Sequence, residues 1–135
     1  MTRHRPETIV SGLLVTLVLS ALLAGCGKSG DSALVAQGQT VFEQQCAICH
    51  SLSAKEYGKT GPYLGGVVGR KAGSVDGFGY SLAFQKADFV WDEAKLDAYL
   101  AEPLKVVPDN AMGFFGISDE ASRKALIAYL AKTKK

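Results

Sequence analysis

Residues 46–50 of the chain read Cys46-Ala-Ile-Cys-His50, a Cys-x-x-Cys-His pattern. Two thiols at this spacing reach the two vinyl groups of one porphyrin, and the adjacent histidine is placed to ligate the iron from one face. No other feature constrains the chain as strongly. The pattern predicts covalent haem attachment through Cys46 and Cys49, with His50 as one axial ligand of the iron.

Two other interpretations of the cysteine pair are weaker. The chain has three cysteines and two histidines, namely Cys26, Cys46, Cys49, His4 and His50. A zinc ion would need two further nitrogen or sulfur ligands besides the pair, and only His50 is near in sequence. A thioredoxin-like redox pair would normally lie beside a βαβ pattern, which the sequence lacks. Haem attachment is therefore favoured over both.

The first 25 residues have the pattern of a targeting segment. Arg3 and Arg5 make its start basic, and residues 9–24 carry no charge. This run is shorter than the roughly 20 residues of a membrane-spanning helix, which favours a signal peptide over an anchor. Residues 23–26, Leu-Ala-Gly-Cys, resemble a bacterial lipobox, and that resemblance implies cleavage before Cys26 and lipid on its thiol. An uncleaved signal anchor, with Cys26 as a spare thiol, is the alternative.

This pattern divides the chain into a lipoprotein signal peptide at 1–25, a lipidated cysteine and short linker at 26–31, and one domain at 32–135. Haem would use Cys46 and Cys49 and lipid would use Cys26, so no thiol would remain for a disulfide. The 15 basic and 13 acidic residues nearly balance. Nucleic-acid binding requires a concentrated basic face, so we expect no such partner.

Apolar spacing predicts a helical domain. A first helix is expected to start near Asp31 or Ser32, either of which can cap it, and to run into Cys46. Glycine recurs too often over residues 57–80 for regular structure. No alternating run is long enough to predict a sheet, so the expected fold class is all-α.

Two further helices are expected in the second half. A middle helix fits residues 91–102, with Pro103 ending it. The last helix is expected after Ser118, with Asp119 and Glu120 in its first turn, where acidic side chains complement the helix dipole.

Several different short motifs follow one another along residues 38–132. Besides residues 46–50 they are Gly61-Pro62-Tyr63-Leu64, Val68-Gly69-Arg70-Lys71, Gly77-Phe78-Gly79-Tyr80, Trp91, Tyr99-Leu100, Pro103, residues 108–112, Phe114 and Leu126-Ile127-Ala128-Tyr129-Leu130. Their order and spacing resemble class I cytochrome c, particularly its mitochondrial and bacterial c₂-like branch. The resemblance implies a small all-α fold, with three main helices, short helices and glycine-rich loops around one covalent haem c.

The resemblance assigns the second axial ligand to Met112, on a loop entered through Pro108. Composition agrees, because Met112 is the only methionine besides the initiator and His4 lies in the signal peptide. A neutral thioether favours ferrous iron. The alternative is that Met112 only fills the core and leaves the iron open.

Other roles also follow from the resemblance. The carbonyl of Pro62 is expected to accept a hydrogen bond from His50, and Tyr99 is expected to place its hydroxyl near the Met112 sulfur. Hydrogen bonds to the haem propionates are assigned to Arg70, Tyr80 and Trp91. Leu64 and Phe114 are expected to wall the haem, and the crossing of the first and last helices is assigned to Gly38, Phe42, Leu126 and Tyr129.

The chain also departs from the family pattern. Relatives commonly have Gly and Thr-Lys where this chain has Asp109-Asn110-Ala111, and an asparagine where it has Phe84. We expect Asp109 to adopt a glycine-like turn at some cost and Asn110 to replace the threonine donor. Of the lysines that ring the haem edge in mitochondrial relatives, the chain matches Lys59 and Lys105. Others are replaced by Thr40, Gln45, Leu104, Ala111, Ser118 and Asp119.

The sequence therefore predicts a membrane-tethered, monomeric, single-electron carrier rather than an enzyme. It would lie in the bacterial cell envelope on the extracytoplasmic side, between membrane-associated donor and acceptor complexes such as a reductase, oxidase or reaction centre. Tethering would replace charge steering by raising the effective concentration. One alternative is a haem enzyme or gas-binding protein in which Met112 dissociates, and another is a subunit fixed within an oxidase or reductase.

Overall fold

The structure is a computed structural model that describes residues 26–56 and 58–134. Within these residues it contains five helices and no strands, which confirms the all-α class. The helices are α1 (Cys26–Gln45), α2 (Leu82–Gln85), α3 (Glu93–Ala101), α4 (Pro103–Val106) and α5 (Glu120–Lys132). The expected signal peptide, residues 1–25, lies outside the described part. The chain divides between Asp31 and Ser32, and Ser32–Lys135 forms one compact unit.

The start of α1 differs from the expected one. The helix begins at Cys26 rather than near Asp31 or Ser32, so the residues expected to form a flexible linker are helical. Glycines at 27 and 30 weaken a helix by about 1 kcal/mol each without blocking it, and no proline interrupts Cys26–Gln45. Asp31 and Ser32, although suitable as capping residues, therefore do not lie at the start of α1. The end at Gln45 is one residue short of the expected Cys46.

Aspartates cap the two helices of the second half. The carboxylate of Asp92 accepts a hydrogen bond from the backbone N–H of Lys95 at 2.6 Å, so α3 begins after Trp91, within the expected range. Asp119 likewise accepts from the N–H of Ser122 at 2.8 Å at the start of α5. These carboxylates satisfy amide groups that a helix leaves unpaired.

Pro103 ends α3 and also begins a further helix. Glu102 is the C-cap of α3, and Pro103 occupies the first turn of α4. Proline is tolerated there because the N–H that it lacks would have no partner within the helix. The sequence indicated the end of α3 but did not indicate where the short helices α2 and α4 lie.

The glycine-rich segment contains no helix in its described residues, as expected. It is held to the chain before α3 by backbone hydrogen bonds. Gly69 donates to the carbonyl of Trp91 at 2.8 Å, Trp91 donates to Arg70 at 2.9 Å, and Ala72 donates to Phe89 at 2.9 Å. This pairing includes one isolated bridge, between Lys71 and Val90. A long loop is thereby given a defined course beside the core.

The first and last helices cross at a glycine, as expected. A methyl group built on Gly38 would lie 1.9 Å from the carbonyl oxygen of Ala125 and 2.7 Å from Cβ of Tyr129. The rings of Phe42 and Tyr129 pack nearby, with centroids 5.8 Å apart. Only a residue without a side chain allows this approach, and Gly38 is thus a packing residue of the α1–α5 contact.

Helices α3 and α5 enclose the core. Its buried members include Leu96, Leu100, Leu126, Ile127 and Leu130. Arg123 of α5 joins the two helices, since its guanidinium donates to Asp97 of α3 at 2.8 Å and to the carbonyl of Ile117 at 2.9 Å. Among the described residues, no helix has the length and apolarity needed to cross a membrane.

Candidate functional site

The Cys-x-x-Cys-His residues form a turn directly after α1. The backbone N–H groups of Cys49 and His50 both donate to the carbonyl of Cys46, at 3.0 and 2.8 Å. Both cysteines and His50 line one cavity of about 410 Å³. A cavity of this size is typical of a cofactor site.

His50 is oriented by the chain on its far side. The N–H of Gly61 donates to the carbonyl of Cys49 and the N–H of Leu64 donates to that of Ser51, each at 2.8 Å. This pairing brings the carbonyl oxygen of Pro62 to 2.7 Å from Nδ1 of His50. The expected contact is thus present, and it leaves Nε2 of His50 available for an iron.

Gly61 makes this arrangement possible. A methyl group built on Gly61 would lie 2.4 Å from Cε1 of His50. Burial lowers the pKa of the His50 imidazole, and the hydrogen bond to the Pro62 carbonyl opposes that shift. A neutral imidazole is the form that ligates a metal.

Met112 lines the same cavity, on the loop between α4 and α5. The hydroxyl of Tyr99 donates to the Met112 sulfur at 3.6 Å, as the family resemblance implied. Burial raises the pKa of Tyr99 to about 12. Tyr99 therefore remains a hydrogen-bond donor at physiological pH.

The loop that carries Met112 is held by Asn110. The side-chain amide of Asn110 donates to the carbonyl of Val107 at 2.8 Å, and its oxygen accepts from the N–H of Met112 at 2.9 Å. Asp109 has a φ of 59°, a left-handed conformation that is costly for a residue with a side chain. Asp109 thus takes up the glycine-like turn that was expected at this position.

The cavity wall is mainly apolar. Both Leu64 and Phe114 line it, as expected. Further apolar lining residues include Val67, Phe78, Phe84, Trp91, Leu96, Leu100 and Leu130. Such a wall excludes water and suits the flat face of a porphyrin.

Phe84 packs against three aromatic neighbours. Its ring lies 5.9 Å from Tyr80, 6.3 Å from Trp91 and 6.0 Å from Tyr99, measured between centroids. Where relatives commonly place an asparagine, this chain therefore has an aromatic cluster, and the lining beside Tyr99 is apolar.

The three residues assigned to the propionates also line the cavity, and the side chains of Arg70 and Tyr80 have hydrogen-bond partners within the protein. Arg70 donates to the carbonyls of Tyr63 at 2.7 Å and Gly65 at 3.2 Å. The hydroxyl of Tyr80 accepts from the N–H of Val75 at 3.4 Å. Trp91 is buried at the cavity wall.

Ser81 was missed by the sequence analysis. Its hydroxyl oxygen is buried without a hydrogen-bond partner among the described residues, and the residue lines the cavity. A buried hydroxyl without a partner costs about 1–3 kcal/mol, so a group bound in the cavity is expected to supply one. Ser81 directly follows Tyr80, a residue already assigned to the propionates, and this position could have indicated it. Nothing in the sequence indicated that its hydroxyl is buried.

The structure also bears on the two other interpretations of the cysteine pair. Burial, and then the neighbouring Cys49, raise the pKa of the Cys46 thiol to about 11, so it lacks the thiolate character of a redox dithiol. No group of three or more His, Cys, Asp or Glu side chains in the described residues is placed to hold a metal ion. The donors instead fit haem, with two thiols, an imidazole, a thioether and a buried hydroxyl around one apolar cavity.

Comparison with known proteins agrees with this geometry. The sequence model of the family described as Cytochrome c matches residues 35–134. The cytochrome c2 of Rhodomicrobium vannielii is 39% identical over 124 residues, covering 90% of this chain and 96% of that protein. The chain belongs to the cytochrome c family. Two further relatives are the cytochrome c of Chlamydomonas reinhardtii, at 42% identity over 71% of this chain and 86% of its own, and cytochrome c2 iso-2 of Magnetospirillum fulvum, at 47% over 63% and 88%.

As a cytochrome c, the chain carries one covalent haem c and is an electron carrier rather than an enzyme. The spacing of Cys46 and Cys49 fits the two thioether bonds of this cofactor. The family therefore accounts for the predicted fold class and for the large apolar cavity together.

Proposed function

We propose that the chain is a membrane-tethered single-electron carrier whose haem c is bonded to Cys46 and Cys49 and whose iron is ligated by His50 and Met112. The main support for this proposal is that the imidazole of His50 and the thioether of Met112 line one cavity, and each accepts or donates a hydrogen bond within the protein. Bound there, the haem supplies a one-electron Fe(II)/Fe(III) couple.

The residues around the cavity would tune this couple. Pro62 orients the His50 ring and makes its Nε2 a better donor. Tyr99 withdraws electron density from the Met112 sulfur through its hydrogen bond, which weakens that donor toward ferric iron. The apolar wall, including Leu64 and Phe114, would keep water away and limit reorganisation during electron transfer.

The polar residues of the cavity would receive the haem carboxylates. We assign these contacts to Arg70, Tyr80 and Trp91, and we add Ser81 because its hydroxyl has no partner within residues 26–56 and 58–134. Buried carboxylates require such donors, since an unpaired buried charge is costly. Arg70 would donate a hydrogen bond to a haem carboxylate while its other N–H groups remain bonded to the carbonyls of Tyr63 and Gly65, because a guanidinium has five N–H donors.

The iron ligation is tested by the ferric spectrum of the holoprotein. We expect a weak long-wavelength charge-transfer band from the methionine sulfur to ferric iron, and we expect Met112→Leu to abolish it and admit cyanide rapidly. Leu82→Ala, at an exposed position outside the cavity, is the control and should leave the band unchanged. If the unmodified protein lacks the band and binds cyanide at once, its iron is open and the carrier proposal fails.

The tether is proposed from the sequence pattern at residues 1–31. It comprises a signal peptide at 1–25, lipid on Cys26, and a haem domain at 32–135 on the extracytoplasmic side of the bacterial cell envelope. Lipid chains contribute about 0.8 kcal/mol per buried CH₂, so detergent rather than salt should release the protein. Mass spectrometry of the mature amino terminus should find lipid on Cys26, and replacing residues 1–26 with a leader that is cleaved without lipidation should free the protein from membranes. An unprocessed amino terminus would instead indicate a signal anchor.

The partners we propose are a membrane-bound electron donor and acceptor of the reductase, oxidase or reaction-centre type. Relatives named cytochrome c2 and the proposed tether support this assignment. The test is oxidation and reduction of added holoprotein by membranes from native cells that lack the gene for this chain. Purification only as part of a larger complex would identify a fixed subunit instead of a carrier.

A further inference from the structure

We infer that the mouth of the haem cavity carries an apolar patch, formed by Ile48, Leu104 and Phe115, that docks onto an apolar surface of the redox-partner protein. This inference rests on the proposed function, because it names the kind of surface that the electron-transfer partner presents. It concerns three residues with no role in holding the haem or its iron.

Ile48 lies at the cavity mouth. It is between the two haem cysteines, its side chain is 83% exposed, and it also lines the cavity. The neighbouring Cys49 is likewise exposed at the cavity. A residue that both lines a cavity and faces solvent lies where the cavity opens.

Phe115 extends the apolar patch from the loop that carries Met112. Along this loop Met112 and Phe114 are partly buried and line the cavity, whereas the side chain of Phe115 is 98% exposed. The alternation places Phe115 outside, directly after a residue of the cavity wall. A phenylalanine exposed to this extent contributes almost none of its apolar surface to the folded core.

Leu104 is on the neighbouring short helix α4 and is 59% exposed. The N–H of Ile117 donates to the carbonyl of Leu100 at 2.7 Å, which holds the chain after Phe115 against the end of α3. The amide of Asn110 also reaches the carbonyl of Pro103, the residue before Leu104, at 3.4 Å. The Met112 loop and α4 therefore form one edge of the molecule.

Two lysines of this region have partners within the protein. The ammonium group of Lys59 donates to the carbonyl of Ala47, and that of Lys105 pairs with Glu102 at 2.7 Å. These are the two lysines that match the charged ring of mitochondrial relatives. Of these two lysines only Lys59 keeps a positive charge without an ion pair among the residues that the structure describes, so an apolar partner surface would complement this edge better than a strongly acidic one.

A protein partner fits this position better than a lipid surface. A haem held in this cavity would come nearest to solvent at the cavity mouth, so a partner that receives its electron would contact the protein there. Membrane insertion of Ile48 and Phe115 would cover the mouth and separate the haem from its partner. Isolated exposed apolar residues are ordinary, but three around the mouth of a redox cavity match the aromatic and aliphatic centres of protein interfaces.

The test measures the second-order rate at which membranes from native cells that lack the gene for this chain oxidise the reduced full-length holoprotein. We expect Phe115→Ser and Leu104→Gln each to slow this reaction severalfold, and the double variant to slow it by about tenfold or more. The rate of the unmodified protein should change less than about threefold between ~10 mM and ~0.2 M salt, since uncharged surfaces are not screened. Leu82→Gln and Val90→Gln, at exposed apolar positions outside the cavity lining, are matched controls and should react at the normal rate.

The outcomes separate this inference from the proposed function. If the unmodified protein is not oxidised at all, the proposed carrier function fails. If it is oxidised but the patch variants react as fast as the controls, or if the rate falls steeply with salt, the apolar patch is overturned. Oxidation by ferricyanide should be the same for the unmodified protein and for Phe115→Ser, and a parallel loss there would also overturn the inference.

Two binding measurements test whether a membrane or a second copy of this chain, rather than a redox partner, covers the apolar patch. The lipid-free holoprotein, made with residues 1–26 replaced by a leader that is cleaved off, should not float with phosphatidylglycerol–phosphatidylethanolamine vesicles, and it should elute as a monomer on size exclusion. Flotation that Phe115→Ser abolishes would make the patch a membrane-contact surface. A dimer that Phe115→Ser dissociates would make it a contact between copies of this chain. Either result would overturn the proposed partner.

Discussion

The hydroxyl group of Tyr99 donates a hydrogen bond to the sulfur of Met112 across 3.6 Å, and this contact links helix α3 to the loop that carries Met112. Because burial raises the pKa of Tyr99 to about 12, the donor persists under physiological conditions. The ring of Tyr99 is held in turn by Trp91, with centroids 4.9 Å apart. The position of one hydroxyl thus depends on an aromatic cluster.

Removal of this hydroxyl is expected to lower the reduction potential. In Tyr99→Phe the sulfur regains electron density and becomes a better donor to ferric iron. A hydrogen bond worth about 1 kcal/mol corresponds to a shift of about 40 mV in a one-electron couple. A redox titration of the holoprotein measures this shift. Tyr129→Phe, at the α1–α5 crossing, is the control and should leave the potential unchanged, and an unchanged or raised potential in Tyr99→Phe would contradict the expectation.

The left-handed backbone of Asp109 is expected to cost stability. A Cβ atom at a φ of 59° is disfavoured, although aspartate tolerates it better than most residues because its short polar side chain bonds locally. Asp109→Ala should therefore lower the free energy of unfolding by about 1 kcal/mol. The Asp109→Gly variant should be at least as stable as the Asp109→Ala variant. Denaturant unfolding of the three holoproteins measures the order, and an alanine variant more stable than the glycine variant would refute it.

The contacts that could be predicted from sequence are those set by short spacing or by family order. The turn at residues 46–50 is local, so its two thiols and His50 necessarily lie close together. Asp119 lies just before an amphipathic run, and such a residue commonly caps a helix. The cavity position of Met112 was predicted from its place in the order of the family motifs, because the residues next to it do not specify that position.

Other features depend on neighbours that are distant in sequence. The unpaired hydroxyl of Ser81 depends on which groups fold around it, and a single serine gives no sign of that. Arg70 was assigned to the propionates, yet it also bonds two backbone carbonyls of the glycine-rich segment. The start of α1 was misplaced because Asp31 and Ser32 favour caps without requiring one. Local propensity is a weak guide where several residues are compatible with a helix.

The capping carboxylate of Asp119 makes stability depend on pH. Hydrogen bonds from the hydroxyl and then the backbone N–H of Ser122 lower its pKa in the folded protein. Since the pKa of an unfolded aspartate is about 3.9, this contribution is fully present above that value and is lost as the pH falls through the lower folded value. Asp119→Asn should therefore lose less stability than the unmodified protein between neutral pH and about pH 3. Denaturation midpoints at the two pH values measure the difference, and equal losses would contradict the proposed linkage.

Gly38 and Gly30 provide a matched pair within helix α1. A methyl group at Gly38 would meet the carbonyl oxygen of Ala125 at 1.9 Å, whereas one at Gly30 would meet no heavy atom of the described part of the chain within 4 Å. Gly38→Ala must therefore push α1 and α5 apart, and we expect it to lower the free energy of unfolding by about 3 kcal/mol. Gly30→Ala should be neutral or stabilising by up to about 1 kcal/mol, because alanine favours a helix and nothing opposes it. Denaturant unfolding of both holoproteins checks the contrast. Equal effects at the two positions would mean that the approach of α1 to Ala125 does not limit the residue at 38.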